Sequence, residues 1–215
     1  VALTIHLELV RLHLQRDDLD AAAAVMQEAR VQVPQPPFNG FMNAMDVAIA
    51  AREGRFDEAR VALDGFQAAI DTLAFEYMRF QVPMLEGEIA YFEEDYALAS
   101  QRMGAGLEMI EQSFLAAELH HYLVPEFMAS FAHLQVLAGE LESAELTLNR
   151  LASLDPTSPG LWLSRARLYE ARGESEQMRT SLERALATWS EADSDHVSYR
   201  EALELAAATG MVEGP

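Results

Sequence analysis

One short pattern recurs five times along this 215-residue chain, and it constrains the fold more than any other feature. Each copy has a small or polar breaker, a hydrophobic residue about two positions further on, and an alanine three positions after that. The copies are Asp17–Ala22, Gly54–Ala59, Glu94–Ala99, Gly139–Ala144 and Gly173–Met178, the last with Ser175 and Met178 at the apolar places. Their final positions lie 37, 40, 45 and 34 residues apart. Recurrence at this period is typical of stacked structural repeats.

Amphipathic helical patterns flank the recurring segments. After the second copy, apolar residues follow the i, i+3, i+4, i+7 spacing of a helix with one buried stripe. These residues are Phe56, Ala59, Leu63, Phe66 and Ile70. After the last copy, the same spacing is followed by Met178, Leu182, Ala185, Leu186 and Trp189. No stretch has the sustained alternation of a β-strand, so the sequence predicts an all-α fold.

The helical patterns predict five antiparallel helix pairs and one closing helix. The predicted pairs are 2–15 with 18–32, 39–52 with 55–72, 74–93 with 95–112, 115–138 with 140–153, and 159–172 with 174–190. The closing helix is predicted at 196–208. Pro83 and Pro125 fall inside two of these ranges, where each is expected to kink its helix or to mark the helix's true start. The proline-rich segment 33–37 is expected to join two repeats.

Charge and composition exclude several classes of partner. Thirty-five acidic residues against fifteen basic ones give a net charge of −20, and every one of the fifteen is arginine. Phosphate backbones and anionic membranes are bound by basic surfaces, so we expect neither nucleic acid nor membrane as a partner. The absence of cysteine excludes disulfides, thiolate metal sites and a cysteine nucleophile. No run approaches a membrane-spanning length and no basic-led apolar leader follows Val1, so we expect a cytoplasmic protein.

Signatures of catalysis are weak in this sequence. The eleven glycines form no phosphate-binding loop, and no lysine exists to complete one. Glu118 and His121 make a single Glu-x-x-His pair, whereas a di-iron bundle needs two such pairs and two further glutamates. His6 and His13 lie seven residues apart, too far to ligate one metal together. We therefore expect no enzymatic activity, no metal and no cofactor.

The helix pairs resemble the tetratricopeptide repeat (TPR) family. The resemblance rests on the fifth pair, with Trp162, Ala166, Tyr169, Leu182 and Ala185, and on the fourth, with Ala132, Ala144, Leu148 and Pro156. The third pair contributes Gly87, Ala99, Met103 and Gly106, the second Phe56, Ala59, Leu63 and Phe66, and the first Ala22, Met26, Ala29 and Pro34. It implies one domain over residues 1–215, a right-handed superhelical solenoid of about five helix pairs plus the closing helix.

A second resemblance concerns the tail, Leu186–Asp195 and the short helix after it. This segment is similar to the end of the repeat arrays that close many bacterial multidomain signalling proteins and transcriptional regulators. It implies that the chain is a fragment, the C-terminal module of a larger protein.

In the TPR family, the first helix of each pair lines a concave face on which ligands bind. Transferred by position, the resemblance implies eight ligand- or peptide-binding residues: Phe41, Met45, Arg52, Met84, Glu88, Tyr91, His133 and Arg167. Two interpretations stay open, because apolar residues at helical spacing either line a groove or pack between helices. A lysine-based clamp for a chaperone's acidic tail is disfavoured, since the chain has no lysine.

Three functions follow from this resemblance. The first is a non-catalytic scaffold or regulatory module that binds a peptide or helix of another protein in its groove. We expect that ligand to carry at least one acidic group. The alternative is a sensor module of a bacterial regulator that binds a small effector. A third is self-association through exposed repeat faces.

Overall fold

The computed structural model describes residues 2–33, 36, 38–113, 124–190 and 194–211. All regular structure within these ranges is helical, with eleven α-helices and two short 3-10 helices and no strand. The predicted all-α class is therefore confirmed. No helix in these ranges has both the length and the apolar character that crossing a membrane requires.

Consecutive helices form the predicted antiparallel pairs. In chain order the α-helices are α1 (Ala2–Gln15), α2 (Leu19–Gln32), α3 (Asn43–Arg52), α4 (Phe56–Leu73), α5 (Gln81–Phe92), α6 (Tyr96–Gln112), α7 (Val124–Leu137), α8 (Leu141–Leu154), α9 (Pro159–Arg172), α10 (Ser175–Thr188) and α11 (Val197–Ala208). Two 3-10 helices, Phe38–Met42 and Glu76–Met78, precede α3 and α5. The pairs are α1 with α2, α3 with α4, α5 with α6, α7 with α8, and α9 with α10.

The chain divides into two compact units, Val1–Leu115 and Ala116–Pro215. In the first unit, α3 packs on both helices of the first pair, and α5 packs on both helices of the second. In the second unit, α9 packs on α7 and α8, and α11 closes the unit against α10. Each unit thus stacks helix pairs in sequence order, which is how repeats that cannot bury their faces alone form a core.

Two of the predicted helix starts are wrong. The predicted helix 74–93 is interrupted, because Ala74 ends α4 in a left-handed conformation with φ of 53°. The next α-helix begins only at Gln81, so Pro83 lies in its first turn, where a missing backbone N–H leaves no helical hydrogen bond unmade. The predicted helix 39–52 begins instead as the 3-10 helix Phe38–Met42. The start of the predicted helix 115–138 lies outside the described residues.

Small residues occupy the crossing points within the pairs, as the recurring pattern predicts. Ala22, Ala59, Ala99 and Ala144 are all fully buried, and Met178 replaces alanine at 5% exposure. At the crossing of α5 and α6, Gly106 leaves room for the side chain of Met84, because a Cβ atom added to this glycine would lie 2.6 Å from the Cγ atom of Met84. Backbones approach at these points because no larger side chain separates them.

All five turns between paired helices share one backbone conformation. The residue just before the N-cap of the second helix has a positive φ in every pair: Asp17, Gly54, Glu94, Gly139 and Gly173. After two of these turns, aspartate caps the helix, with the side chain of Asp18 accepting from Ala21 N and that of Asp95 from Leu98 N, both at 3.1 Å. The breaker seen in the sequence is therefore a left-handed turn residue followed by a helix N-cap.

Glu94→Gly is expected to stabilise the protein by up to about 1 kcal/mol. A left-handed conformation costs a residue with a Cβ roughly 1–2 kcal/mol, which outweighs the added unfolded-state entropy of glycine. Urea unfolding followed by circular dichroism measures the change. Gly139→Ala is the reverse control, because Gly139 has φ of 77° and open space around its Cα, and its midpoint should fall. A lower midpoint for Glu94→Gly would contradict this account.

Candidate functional site

Arg52 and Glu88 join neighbouring first helices in the first unit. Arg52 ends α3, and its guanidinium forms an ion pair with the carboxylate of Glu88 on α5. The same Nη1 atom donates to the backbone oxygen of Ala48 at 2.9 Å. The guanidinium carbon also lies 5.2 Å from the ring centroid of Phe92, within cation–π distance. Both charged side chains are about one-quarter exposed, at 25% and 24%, so solvent reaches the pair.

Aromatic rings continue this surface along the end of α5. The ring of Tyr91 meets that of Phe92 edge to face, with centroids 5.0 Å apart and an interplanar angle of 77°. Tyr96, at the start of α6, lies 6.0 Å from Tyr91. All three rings are partly buried. The cation, the carboxylate and the rings thus form one mixed polar and aromatic surface, which we call the Arg52 surface (Arg52, Glu88, Tyr91 and Phe92).

Phe41 and Met84 do not line an open groove. Phe41 is 9% exposed, with its ring 5.6 Å from that of Phe75 and 6.1 Å from that of Phe66. Met84 is 6% exposed and packs at the α5–α6 crossing. Met45 is half-buried between two core clusters. Of the two interpretations left open for the apolar candidates, packing between helices therefore holds for Phe41 and Met84.

In the second unit, Arg167 on α9 interacts with the carboxylate of Glu201 and with the imidazole of His133. Its guanidinium forms an ion pair with Glu201 on α11, and its positive charge acts on His133 of α7. Burial, together with the charge of Arg167, lowers the pKa of His133 to about 3. His133 is therefore neutral at pH 7 and brings no positive charge to this face. Its Nδ1 atom is buried and has no hydrogen-bond partner among the described residues.

Each of these two ion pairs joins helices that lie one helix pair apart along the chain. Arg52 and Glu88 are 36 residues apart, and Arg167 and Glu201 are 34 apart. Arg52 stands three residues before the N-cap Arg55, and Glu88 stands seven residues before the N-cap Asp95, so this pair joins positions about one helical turn apart on neighbouring first helices. Glu201 was missed by the sequence analysis because α11 was treated as a closing helix, although it stands in the register of a further first helix. The 34-residue spacing is the signal that would have found it.

Within the described residues, the eight candidates form no metal-binding cluster and line neither of two surface depressions. Within the described residues, no group of three or more His, Asp or Glu side chains is placed to hold a metal ion. Glu118 and His121 lie outside the described residues. Two shallow depressions have volumes of about 320 and 360 Å³, and none of the eight candidates lines either one. The first is lined by Arg30, Val33, Asn39, Gly40, Met42 and Asn43, and the second by Gly54, Arg55, Phe56, Asp57, Glu58, Arg60 and Glu93.

Stacked antiparallel pairs with small residues at their crossings define an α-helical repeat protein. A crystal structure of a tetratricopeptide repeat protein from Parabacteroides merdae ATCC 43184 matches this chain with a TM-score of 0.53, covering 98% of this chain and 74% of that one. The two sequences are 16% identical, so the similarity shows the fold. The fold is therefore TPR-like, as the sequence resemblance implied. No protein-family model and no curated protein matches the sequence.

Proposed function

We propose that this chain is a non-catalytic protein-interaction module that binds a peptide or an amphipathic helix of another protein on the first-helix face. Repeat folds of this kind present extended concave surfaces that are used for binding. Of the eight candidate residues, we place Arg52, Glu88 and Tyr91 at the centre of the binding surface of the first unit. Arg167 is a separate candidate contact on the second unit.

The Arg52 surface is the observation that supports this proposal. It combines a guanidinium, a carboxylate and two aromatic rings from consecutive helices, all of them reachable by solvent. Arginine and tyrosine are enriched among residues that dominate binding energy, because each offers a large apolar area together with hydrogen-bonding groups. The ion pair and the ring contacts also hold these side chains in place before binding, which lowers the entropy cost of association.

The ion pairs change the expected chemistry of the ligand. Arg52 is already partnered by Glu88, and Arg167 by Glu201. An acidic group on a ligand would have to compete with each glutamate for its arginine. We therefore expect the ligand to donate a hydrogen bond to Glu88 and to accept one from Arg52. An apolar side chain of the ligand is expected to pack against Tyr91. No observation on the described residues favours a small effector at this surface over a peptide.

The double variant Tyr91→Ala with Arg52→Glu is expected to abolish capture of specific partners from a lysate of the source organism. It removes the ring and reverses the charge of the cation at the centre of the surface. Quantitative mass spectrometry of the captured proteins measures the loss. Circular dichroism must first show that the variant is folded, and Arg52→Gln is the milder replacement if it is not.

A matched control uses two exposed second-helix residues that are not part of the Arg52 surface. Leu146 is 72% exposed on α8 and Arg179 is exposed on α10, so Leu146→Ala with Arg179→Glu makes the same kinds of change elsewhere. We expect this control to retain the partners of the wild-type protein. Retention of every specific partner by the Tyr91 and Arg52 variant would show that the binding surface lies elsewhere.

A further inference from the structure

Two arginines flank the indole ring of Trp162 in the second unit. Trp162 lies in the first turn of α9, and its indole nitrogen donates a hydrogen bond to the backbone oxygen of Pro156 at 3.2 Å. The guanidinium carbon of Arg184 on α10 lies 4.4 Å from the ring centroid, and that of Arg165 on α9 lies 5.0 Å from it. Both distances are within the range of cation–π attraction. The ring and the two cations form one cluster, which we call the Trp162 cluster (Trp162, Arg165 and Arg184).

Neither arginine of this cluster has a carboxylate partner among the described residues. Arg165 donates to the amide oxygen Oδ1 of Asn149 on α8 at 3.2 Å, and Arg184 has only its contact with the ring. By contrast, Arg52 and Arg167, the two arginines among the candidate residues, are each paired with a glutamate. The cations that an acidic ligand can reach without displacing a carboxylate are therefore those of the Trp162 cluster.

The local sequence explains why these two cations have no carboxylate partner. Side chains three or four positions apart are neighbours on a helix. Those positions hold Leu161, Trp162, Leu168 and Tyr169 around Arg165, and Thr180, Ser181, Ala187 and Thr188 around Arg184. Other arginines pair with an acidic residue three positions away: Arg11 with Glu8, Arg55 with Glu58, Arg60 with Asp57, and Arg79 with Glu76. The Trp162 cluster is thus locally basic in a chain that has 35 acidic residues against 15 basic ones.

The arrangement of the cluster favours the binding of an anion. A guanidinium has five N–H donors and no acceptor, and Arg184 donates to none of the described residues. The two cations repel each other, and a negative group in contact with both would offset that repulsion. The ring, held by its hydrogen bond to Pro156, positions both guanidiniums before binding, which lowers the entropy cost of association. Arg184 is exposed, and Trp162 and Arg165 are partly exposed, so a ligand can reach all three.

We propose that the Trp162 cluster binds a short acidic segment of another protein, whose neighbouring Asp or Glu carboxylates accept hydrogen bonds from Arg165 and Arg184. Charge complementarity is the basis, since two adjacent cations without carboxylate partners stand out in a chain with a net charge of −20. That net charge repels long polyanions, whereas a short segment meets mainly the local charge, because salt screens exposed charges beyond about 8 Å. The cluster contains none of the eight candidate residues, so it is a second binding surface that does not depend on the Arg52 surface.

Fluorescence anisotropy of a labelled peptide tests this proposal. The probe is a short peptide of alternating glutamate and serine, and the same peptide with glutamine in place of glutamate is the neutral control. We expect the glutamate peptide to bind and the glutamine peptide not to bind. Arg184→Gln and Arg165→Gln are each expected to weaken binding by about tenfold or more, because charge-assisted hydrogen bonds are roughly twice as strong as neutral ones.

Arg179→Gln is the matched control, because Arg179 is also an exposed arginine of α10 and its replacement changes the net charge equally. We expect this variant to bind the glutamate peptide as the wild-type protein does. The variant Tyr91→Ala with Arg52→Glu is also expected to bind it, so the result is independent of the test of the Arg52 surface. Circular dichroism confirms that each variant is folded, and the exposed position of Arg184 makes its replacement the least disruptive.

Four outcomes would overturn the proposal. The first is that the glutamate peptide does not bind at millimolar concentration. An equal loss of binding in Arg179→Gln would show a non-specific effect of net charge. Displacement of the peptide by millimolar inorganic phosphate at constant ionic strength would assign the cluster to a phosphate group. Dimerisation in sedimentation velocity that Arg184→Gln removes would assign it to acidic residues of a second copy of the chain.

Discussion

Phe66→Ala is expected to lower the free energy of unfolding of the first unit by about 3–5 kcal/mol, the cost of truncating a buried aromatic side chain. Phe66 is 1% exposed and lies in the cluster formed by α3, α4 and α5. Its ring meets that of Phe41 edge to face at 6.1 Å. Truncation removes both the buried apolar area and this ring contact, and rigid helices on all sides limit how far the cavity can collapse.

Urea unfolding followed by far-UV circular dichroism measures this loss. Val61→Ala on the same helix is the control, because a side chain that is 71% exposed should change stability by less than about 0.5 kcal/mol. Both tryptophans, Trp162 and Trp189, belong to the second unit, so their fluorescence reports on that unit separately. A midpoint for Phe66→Ala equal to that of Val61→Ala would contradict the position of Phe66 in the core.

Ala59→Leu and Ala144→Leu are each expected to cost about 1–3 kcal/mol through overpacking of a helix crossing. Both alanines are fully buried, one between α3 and α4 and the other between α7 and α8. Three additional heavy atoms at such a point must push two helix backbones apart. Because one crossing lies in each unit, the two variants test the repeat register twice, in separate cores.

Ala68→Leu is the control for the overpacking variants, since Ala68 is an exposed residue of α4 and the chemical change is identical. We expect it to unfold at the urea midpoint of the wild-type protein. If Ala59→Leu and Ala144→Leu also unfold at that midpoint, the small residues are not at the crossings and the register of the helix pairs is wrong.

The features that the sequence determined by itself are local and periodic. Helix positions follow from the spacing of apolar residues, and the burial of Ala59 and Ala144 follows from a pattern that recurs at each turn. Turn residues such as Gly54 and Gly139 adopt their left-handed conformation in the context of a few neighbours. Transfer by position along the repeats also placed Arg52 and Glu88 on the same first-helix face, where the structure pairs them.

Only the tertiary structure decided which first-helix side chains are available for binding. Phe41 and Tyr91 are both aromatic residues of a first-helix segment, yet Phe41 packs against Phe75 while Tyr91 remains partly exposed. Phe75 reaches Phe41 because α4 ends at Ala74 and a 3-10 turn follows, which helical periodicity did not predict. The pKa of His133 likewise depends on burial and on Arg167, one repeat away. Exposure and charge are properties of neighbours brought together by folding, so a periodic pattern along the chain does not contain them.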